Sequence, residues 1–253
     1  MNLFEGGNIW PDVVTNFDPE KVGKPLTAAA QKYLEPLGAT VHTIGSAWKP
    51  RYNKDGSVVP SNDLDAMVDL GELQKAFNTT DAKSTRQALD NYLQKQGIKT
   101  YKAGLTVHTR MPLSGKFYQV DIKVVPNAAK VAQFHRHDIP QGSPYKGVNK
   151  QLVMNALASS QRMLWSPDEG LYARDNNGKK AELLSDDWDT IAQYLLGKGA
   201  SGKDLSSVES IMAKIPDPKR REEIMNMARS GHSWQAATPN VTEWFRRAMD
   251  MLK

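Results

Sequence analysis

The feature that most constrains this chain is a pair of acidic residues at the start of an apolar, strand-like segment. Asp63 comes just before the run 64–70, and Asp65 is the second residue of that run, which is otherwise almost entirely apolar. Because side chains alternate along a strand, the two carboxylates share one face, while Leu64 and Val68 lie on the other. The pattern therefore predicts a strand with one apolar face and one face that presents two carboxylates.

A third acid stands inside a later strand-like segment. Asp121 lies within the run 117–125, with Lys123 on the same face and Val120 and Ile122 on the other. Aspartate is depleted in strands, and a buried charge needs a partner, so this position indicates a special role. If the two strands are neighbours, three carboxylates converge. A site built only of carboxylate oxygens suits Mg²⁺ or Mn²⁺ rather than zinc.

The residues just before the first pair of acids predict a phosphate-binding corner. A β-branched segment over 39–44 fits a strand and ends at Gly45 and Ser46. Glycine lets backbone N–H groups approach an anion closely, and the serine adds a hydroxyl. The polar loop that follows contains three basic residues, Lys49, Arg51 and Lys54. Carboxylates, a phosphate corner and nearby cations are the parts that hold a metal–triphosphate.

Taken together, these segments resemble the DNA polymerase beta-like nucleotidyltransferase superfamily. The resemblance covers residues 26–126 and consists of an apolar residue followed by Gly and Ser, two acids at positions i and i+2, and a third acid on a later strand. It implies that Ser46 contacts the triphosphate and that Asp63, Asp65 and Asp121 are catalytic and bind the metal. The spacer 47–62 is long for the family, and this loop is a candidate to close over the substrate.

The function implied by the resemblance is template-independent nucleotidyl transfer. A nucleoside monophosphate would move from an NTP such as ATP to an acceptor, with release of pyrophosphate and with Mg²⁺ or Mn²⁺ as cofactor. Two metal ions can activate the attacking hydroxyl and stabilise the leaving pyrophosphate. Asp121 is also a candidate base. The acceptor is open between an RNA 3′ end, a protein hydroxyl and a small molecule. The alternative is a non-catalytic nucleotide- or nucleic-acid-binding protein that retains the fold.

The segment after the third acid has a looser counterpart in several branches of the superfamily, where a helix of the following domain contacts the triphosphate and the base. In this chain Tyr145 is available for stacking, and Lys146 and Lys150 for phosphate contact. The full predicted nucleotide-binding set is Gly45, Ser46, Lys49, Arg51, Lys54, Lys123, Tyr145, Lys146 and Lys150.

Charge and composition narrow the class of protein. Between residues 99 and 150 lie nine Lys or Arg (99, 102, 110, 116, 123, 130, 136, 146 and 150) and two acids. This concentration favours an anionic partner such as RNA, although a solvated basic surface gives the same pattern. The absence of cysteine excludes disulfides, thiolate metal sites and cysteine nucleophiles. With no secretory signal and no membrane-length apolar run, we expect a cytoplasmic protein without a membrane partner.

The predicted fold is of the α/β (α+β) class, a mixed sheet with flanking helices followed by an all-helical C-terminal domain. We expect an N-terminal arm over 1–25, a nucleotidyltransferase-like catalytic domain over 26–140 and a helical domain over 141–253. The segment from His135 to Asp138 is interpreted as a polar loop beside the site. The helices expected after residue 140 span 146–165, 185–196, 206–215, 218–230 and 240–252.

Overall fold

The structure is a computed structural model that describes residues 9–230. The chain divides into two compact units. The first contains the chain up to Tyr52 together with Ser57–Arg136, and the second contains Asn53–Gly56 and the chain from His137 onward. The helix expected over 240–252 lies outside the described residues. Across the described part of the chain, every helix is too short or too polar to cross a bilayer.

The first unit combines five strands with five helices over its described residues. In chain order they are α1 Pro19–Leu34, β1 His42–Thr43, α2 Gly45–Trp48, β2 Asp63–Asp69, α3 Leu70–Phe77, α4 Ala82–Lys95, β3 Lys99–Ala103, β4 Thr106–Leu113, β5 Lys116–Val125 and α5 Ala128–His135. A 3₁₀ turn, Glu35–Leu37, follows α1.

The second unit is built mainly of helices around a small sheet. Its described elements are α6 Gly147–Ser160, β6 Met163–Ser166, β7 Gly170–Arg174, β8 Lys180–Ser185, α7 Trp188–Leu196, α8 Val208–Lys214 and α9 Pro218–Arg229. A 3₁₀ turn, Gly202–Leu205, precedes α8.

The strands of the first unit form one mixed sheet in the order β1-β2-β5-β4-β3. β2 and β5 are parallel, and the other neighbouring pairs are antiparallel. Apolar side chains on one face, such as Leu64, Val120 and Ile122, are fully buried in a core that also contains Leu26 of α1 and Leu89 of α4. This core fixes the sheet from one side, so polar side chains at the alternate positions lie on the opposite face. The expected mixed sheet with flanking helices is confirmed.

Local sequence explains where α1 begins. α1 starts with Pro19 at its first position and Asp18 as its N-cap, whose carboxylate accepts a hydrogen bond from the Glu20 N–H. Proline suits the first helical turn because its missing N–H would have no helical partner there. The helix therefore begins inside the segment expected to be an extended arm, and the prediction of an irregular leader up to residue 25 is wrong for 19–25.

In the first unit one predicted strand is shorter than expected, and one strand comes in addition to those predicted. The strand expected over 39–44 is reduced to the two residues of β1. Conversely, β3 was not predicted, because its sequence, KTYKA, carries two lysines and one aromatic ring rather than a clear apolar face. It forms by antiparallel pairing with β4 at the edge of the sheet. Lysine is a common residue on exposed edge strands because its charge opposes further pairing.

The expectation that only helices follow residue 140 is wrong. The predicted helix 146–165 ends at Ser160, and β6, β7 and β8 form a three-stranded antiparallel sheet. The β8 sequence, KAELLS, contains strong helix formers. Its strand conformation comes from pairing with β7 across an irregular register, a tertiary interaction that helix propensity does not reveal.

Asp69, at the end of β2, has a structural role that separates it from the other acids of this strand. Its Oδ1 accepts hydrogen bonds from the N–H groups of Gly71 (2.8 Å) and Glu72 (3.1 Å), and its Oδ2 accepts one from the Ala128 N–H (3.1 Å). The carboxylate therefore caps α3 and ties it to the start of α5.

We expect Asp69→Ala to lower the free energy of unfolding by about 1–2 kcal/mol, because the N-cap of α3 is lost. Asp69→Asn keeps one carbonyl oxygen as an acceptor and should lose less. Urea unfolding followed by circular dichroism measures both changes. A midpoint for Asp69→Ala equal to that of the unmodified protein would contradict the capping role.

Candidate active site

The pairing of β2 with β5 brings the three predicted acids together. Asp65 lies directly opposite Asp121, and Asp63 lies directly opposite Gln119, which is two residues before Asp121. Residues opposite each other in neighbouring strands point to the same face, so all three carboxylates lie on the face away from the α1 and α4 core. We call this the polar face of the sheet.

The register extends across the other two strands of the polar face. Asp121 of β5 is opposite His108 of β4, and His108 is opposite Tyr101 of β3. The residues Asp65, Asp121, His108 and Tyr101 therefore form a straight line across four strands, which we call the acid row. The adjacent line contains Asp63, Gln119, Arg110 and Lys99.

Burial and, after it, mutual repulsion shape the electrostatics of the acid cluster. Burial, followed by the charge of Asp121, raises the pKa of Asp63 to about 6. Burial, followed by the charges of Asp63 and Asp121, raises the pKa of Asp65 to about 8, against the opposing effect of Lys123. Carboxylates so placed resist ionisation in the absence of a compensating cation. The raised pKa values of Asp63 and Asp65 show that the charge of Asp121 acts on both and that the positive neighbours do not balance burial and repulsion.

Asp121 is held by two side chains that sequence reasoning did not assign to the site. Its Oδ1 lies 2.9 Å from His108 Nδ1, and its Oδ2 accepts a hydrogen bond from Gln119 Nε2 at 3.4 Å. The buried Gln119 side chain in turn accepts a hydrogen bond from the Ile9 N–H. The polar residues at alternate positions of β4 were the available signal for His108, but only the register shows which acid it meets.

The Gly45–Ser46 corner lies against the acids, as a short helix rather than an open loop. The Ile44 N–H donates to the carbonyl oxygen of Asp65 at 3.1 Å, which fixes α2 beside β2. Gly45 has a φ of +59°, and a Cβ there would lie 3.0 Å from Asp65 Oδ2. A side chain at position 45 would therefore be strained and would press on the carboxylate. Ser46 Oγ lies 2.8 Å from Ser61 Oγ, which donates to the Asp63 carbonyl.

The predicted basic ligands lie in different parts of the chain. Lys123 is on the polar face two residues beyond Asp121, close enough to Asp65 to lower the pKa of that carboxyl group. Lys49 is exposed and Arg51 partly buried in the segment between α2 and β2. Lys54, by contrast, belongs to the second unit.

The remaining predicted ligands also belong to the second unit. Tyr145 and Lys146 are partly exposed just before α6. Lys150 is buried within α6, its Nζ 5.5 Å from the centre of the Trp188 ring, and burial lowers its pKa to about 7. The prediction of one polar loop from His135 to Asp138 is wrong. His135 is the last residue of α5 in the first unit, and His137 is buried in the second unit.

The site fits Mg²⁺ or Mn²⁺ in donor type and charge but not in its present arrangement of side chains. Three carboxylates are the ligands these hard cations prefer, and a cation would relieve the repulsion among them. Over residues 9–230, however, no three His, Asp or Glu side chains are arranged to hold a metal ion. Both oxygens of Asp121 are engaged by His108 and Gln119, so a shared metal would require this carboxylate to turn.

Comparison with known proteins gives little beyond this geometry. No family model and no curated protein matches the chain. Among solved structures, one match is a structure described as that of a cytoplasmic RNA terminal U-transferase. It is 13% identical over 58% of this chain and 50% of that chain, with a TM-score of 0.29. The chain thus spans half the length of that protein.

We expect Asp65→Asn to stabilise the protein at pH 8 and to change its stability little near pH 4. A carboxyl group whose pKa is raised by folding loses stability as pH rises from its ordinary value of 3.8 to its folded value of about 8. Asparagine does not ionise and escapes that loss. A gain of about 1 kcal/mol corresponds to roughly 2–4 °C in a chain of this size.

Thermal unfolding measured without metal between pH 4 and pH 9 tests this prediction. Glu182→Gln, which removes an exposed carboxylate from β8, serves as the control and should show no such pH dependence. A melting temperature for Asp65→Asn that is lower than that of the unmodified protein at pH 8 would show that ionisation of Asp65 does not cost stability.

Proposed function

We propose that this protein is a metal-dependent, template-independent nucleotidyltransferase that moves a nucleoside monophosphate from an NTP to an acceptor hydroxyl. The observation that carries the proposal is the convergence of Asp63, Asp65 and Asp121 on neighbouring parallel strands, where burial and mutual charge raise the pKa of two of them. Such an arrangement costs stability in the isolated protein, so a function that uses the clustered charge is its best explanation.

In this proposal Asp63 and Asp65 hold the metal, and Asp121 joins them by turning from its present partners. When bound, Mg²⁺ or Mn²⁺ would neutralise negative charge on the triphosphate and on the leaving pyrophosphate. Gly45 leaves room for phosphate oxygens because it has no side chain beside Asp65. Ser46, the next residue in the chain, offers a hydroxyl to an anion, and Lys123, two residues beyond Asp121 on the polar face, offers an ammonium group.

Asp121 accounts for the proton that the acceptor hydroxyl must lose. A carboxylate within hydrogen-bond reach of the hydroxyl can accept the proton as the oxygen attacks the α-phosphorus. Before a metal binds, His108 holds the Asp121 carboxylate on the polar face through the 2.9 Å contact at Nδ1. His108 is thus proposed to position Asp121 in the metal-free protein and to release it when the carboxylate turns toward the metal. The other predicted ligands of the triphosphate and the base stay predictions; they are Lys49, Arg51, Lys54, Tyr145, Lys146 and Lys150.

A second candidate function is non-catalytic binding of a nucleotide or nucleic acid. It is favoured by one observation, namely that both oxygens of Asp121 are satisfied by side chains and no metal-binding group is formed among the described residues. In that case the acids would be remnants of an ancestral site. The enzymatic function requires a transfer product whose formation depends on the three carboxylates, whereas the binding function requires no product.

A transfer assay separates them. The protein is incubated with each α-labelled NTP in turn, Mg²⁺ or Mn²⁺, and mixed pools of RNA, protein and small molecules. We expect labelled product in one pool, and a loss of about 100-fold or more in rate for Asp63→Asn, Asp65→Asn and Asp121→Asn, as is typical when a group that stabilises transition-state charge is removed.

Asp69→Asn is the matched control, because Asp69 is on the same strand as Asp63 and Asp65 but caps a helix. This variant should retain activity in proportion to its folded fraction. Nucleotide binding without transfer by the unmodified protein, unchanged in all three Asn variants, would support the binding function and contradict the enzymatic one.

A further inference from the structure

The acid row ends in an exposed aromatic ring. The side chains of Asp121 and His108 are 15% and 18% exposed, whereas Tyr101, at the edge strand, is 43% exposed. The centres of the Tyr101 and His108 rings are 6.1 Å apart with an angle of 30° between the ring planes. Neighbouring strands are about 4.8 Å apart, so Tyr101 is about 10 Å from Asp121 along the row. An aromatic surface therefore adjoins the candidate catalytic acids.

A positive charge lies on the same strand as this ring and lines a cavity. Lys99 is two residues before Tyr101 on the same face of β3, about 7 Å along the strand, and is exposed. Asp12, an acid whose pKa Lys99 helps to lower, is already paired with Arg110. Lys99 also lines an open cavity of about 420 Å³, whose other lining residues are Trp10, Gln94, Gly97, Ile98 and Thr100. The volume is within the range of small-ligand sites.

We propose that Tyr101, His108, Lys99 and the Trp10 cavity bind the 3′ end of a single-stranded polynucleotide, which is the acceptor of the transfer reaction. This inference rests on the proposed function and names its acceptor. Single strands are bound by aromatic rings on which bases stack and by cations that follow the phosphates. Tyr101 and Trp10 supply the rings. Lys99 supplies the cation, since it lies on the same strand as Tyr101 and lines the same cavity as Trp10. The row then leads from the stacked base to Asp121.

The composition of β3 supports a polynucleotide over a protein surface as the occupant. The strand carries two lysines and no acid, and only one of these, Lys99, is on the polar face, since Lys102 bonds to Gln87 of α4 on the opposite side. A positive side chain between two aromatic groups complements a phosphate between two bases. Protein partners bury larger apolar patches, whereas here Tyr101 is the exposed aromatic residue of its strand.

Binding is measured directly, without catalysis. Fluorescence anisotropy with a labelled 12-nucleotide single-stranded RNA, and in parallel a DNA of the same sequence, is recorded in EDTA and without NTP. We expect Tyr101→Ala to weaken binding about fivefold to a hundredfold, the loss typical of removing one stacked base contact. Tyr101→Phe keeps the ring and should bind like the unmodified protein.

Tyr194→Ala is the matched control, since Tyr194 is 45% exposed in the second unit and far from the acid row in sequence. It should leave binding unchanged. Lys99→Gln should reduce the slope of log K against log salt concentration by about 0.7, the value for one phosphate contact to a single strand. A preference for RNA over DNA, or the reverse, would identify which polynucleotide is the acceptor.

The outcomes separate this inference from the proposed function. Equal affinity in Tyr101→Ala and in the unmodified protein overturns the inference, whatever the transfer assay shows. No binding of either oligonucleotide, with label transferred to protein or to a small molecule, overturns the inference and leaves nucleotidyl transfer standing. Binding that depends on Tyr101, with no transfer under any condition, supports the surface and contradicts the enzymatic function.

Discussion

The constraint on which the site depends is the burial of mutually repelling carboxylates held together on the polar face of one sheet. Opposite positions on neighbouring strands are fixed by backbone hydrogen bonds, so Asp65 and Asp121 cannot separate without loss of the β2–β5 pairing. Their side chains can only turn, and Asp121 turns toward His108 and Gln119. The apolar core on the other face supplies the stability that offsets this repulsion. A divalent cation would add attractions that outweigh the repulsion among the three acids.

The same strand register places the candidate catalytic acids and the proposed binding surface in one line. The acid row begins at the partly buried carboxylates, passes through His108 and reaches the solvent at Tyr101. Because β4 pairs on both sides, a change at His108 affects both the orientation of Asp121 and the packing beside Tyr101. One short edge strand thereby extends the candidate catalytic centre into a surface suited to a flexible, negatively charged acceptor.

Much of this arrangement could be predicted from sequence. Alternation of polar and apolar residues placed Asp63, Asp65 and Asp121 on strands, and their strand neighbours on a core face, because period-2 patterning is a local signal. The parallel pairing of β2 with β5 could not be derived, since it joins residues far apart in the chain and depends on how the helices and strands between them in sequence pack. His108 as the partner of Asp121 follows only from that pairing.

Other features were hidden for physical reasons of their own. β3 has no apolar face of its own, and its strand conformation depends on β4, so Tyr101 was not assigned to a site. Because β8 contains strong helix formers, its sequence pattern did not indicate the small sheet of the second unit. The turned carboxylate of Asp121 reflects the balance between repulsion and hydrogen bonding in three dimensions, which a linear pattern does not encode.

The most direct test of the central claim is a crystal structure with Mn²⁺ and a non-hydrolysable NTP, recorded at the manganese absorption edge. The account predicts an anomalous peak bound by oxygens of Asp63 and Asp65, with Asp121 turned toward it and the triphosphate beside Gly45 and Ser46. Nucleotide bound elsewhere, or bound there without manganese and with Asp121 still held by His108, would contradict it.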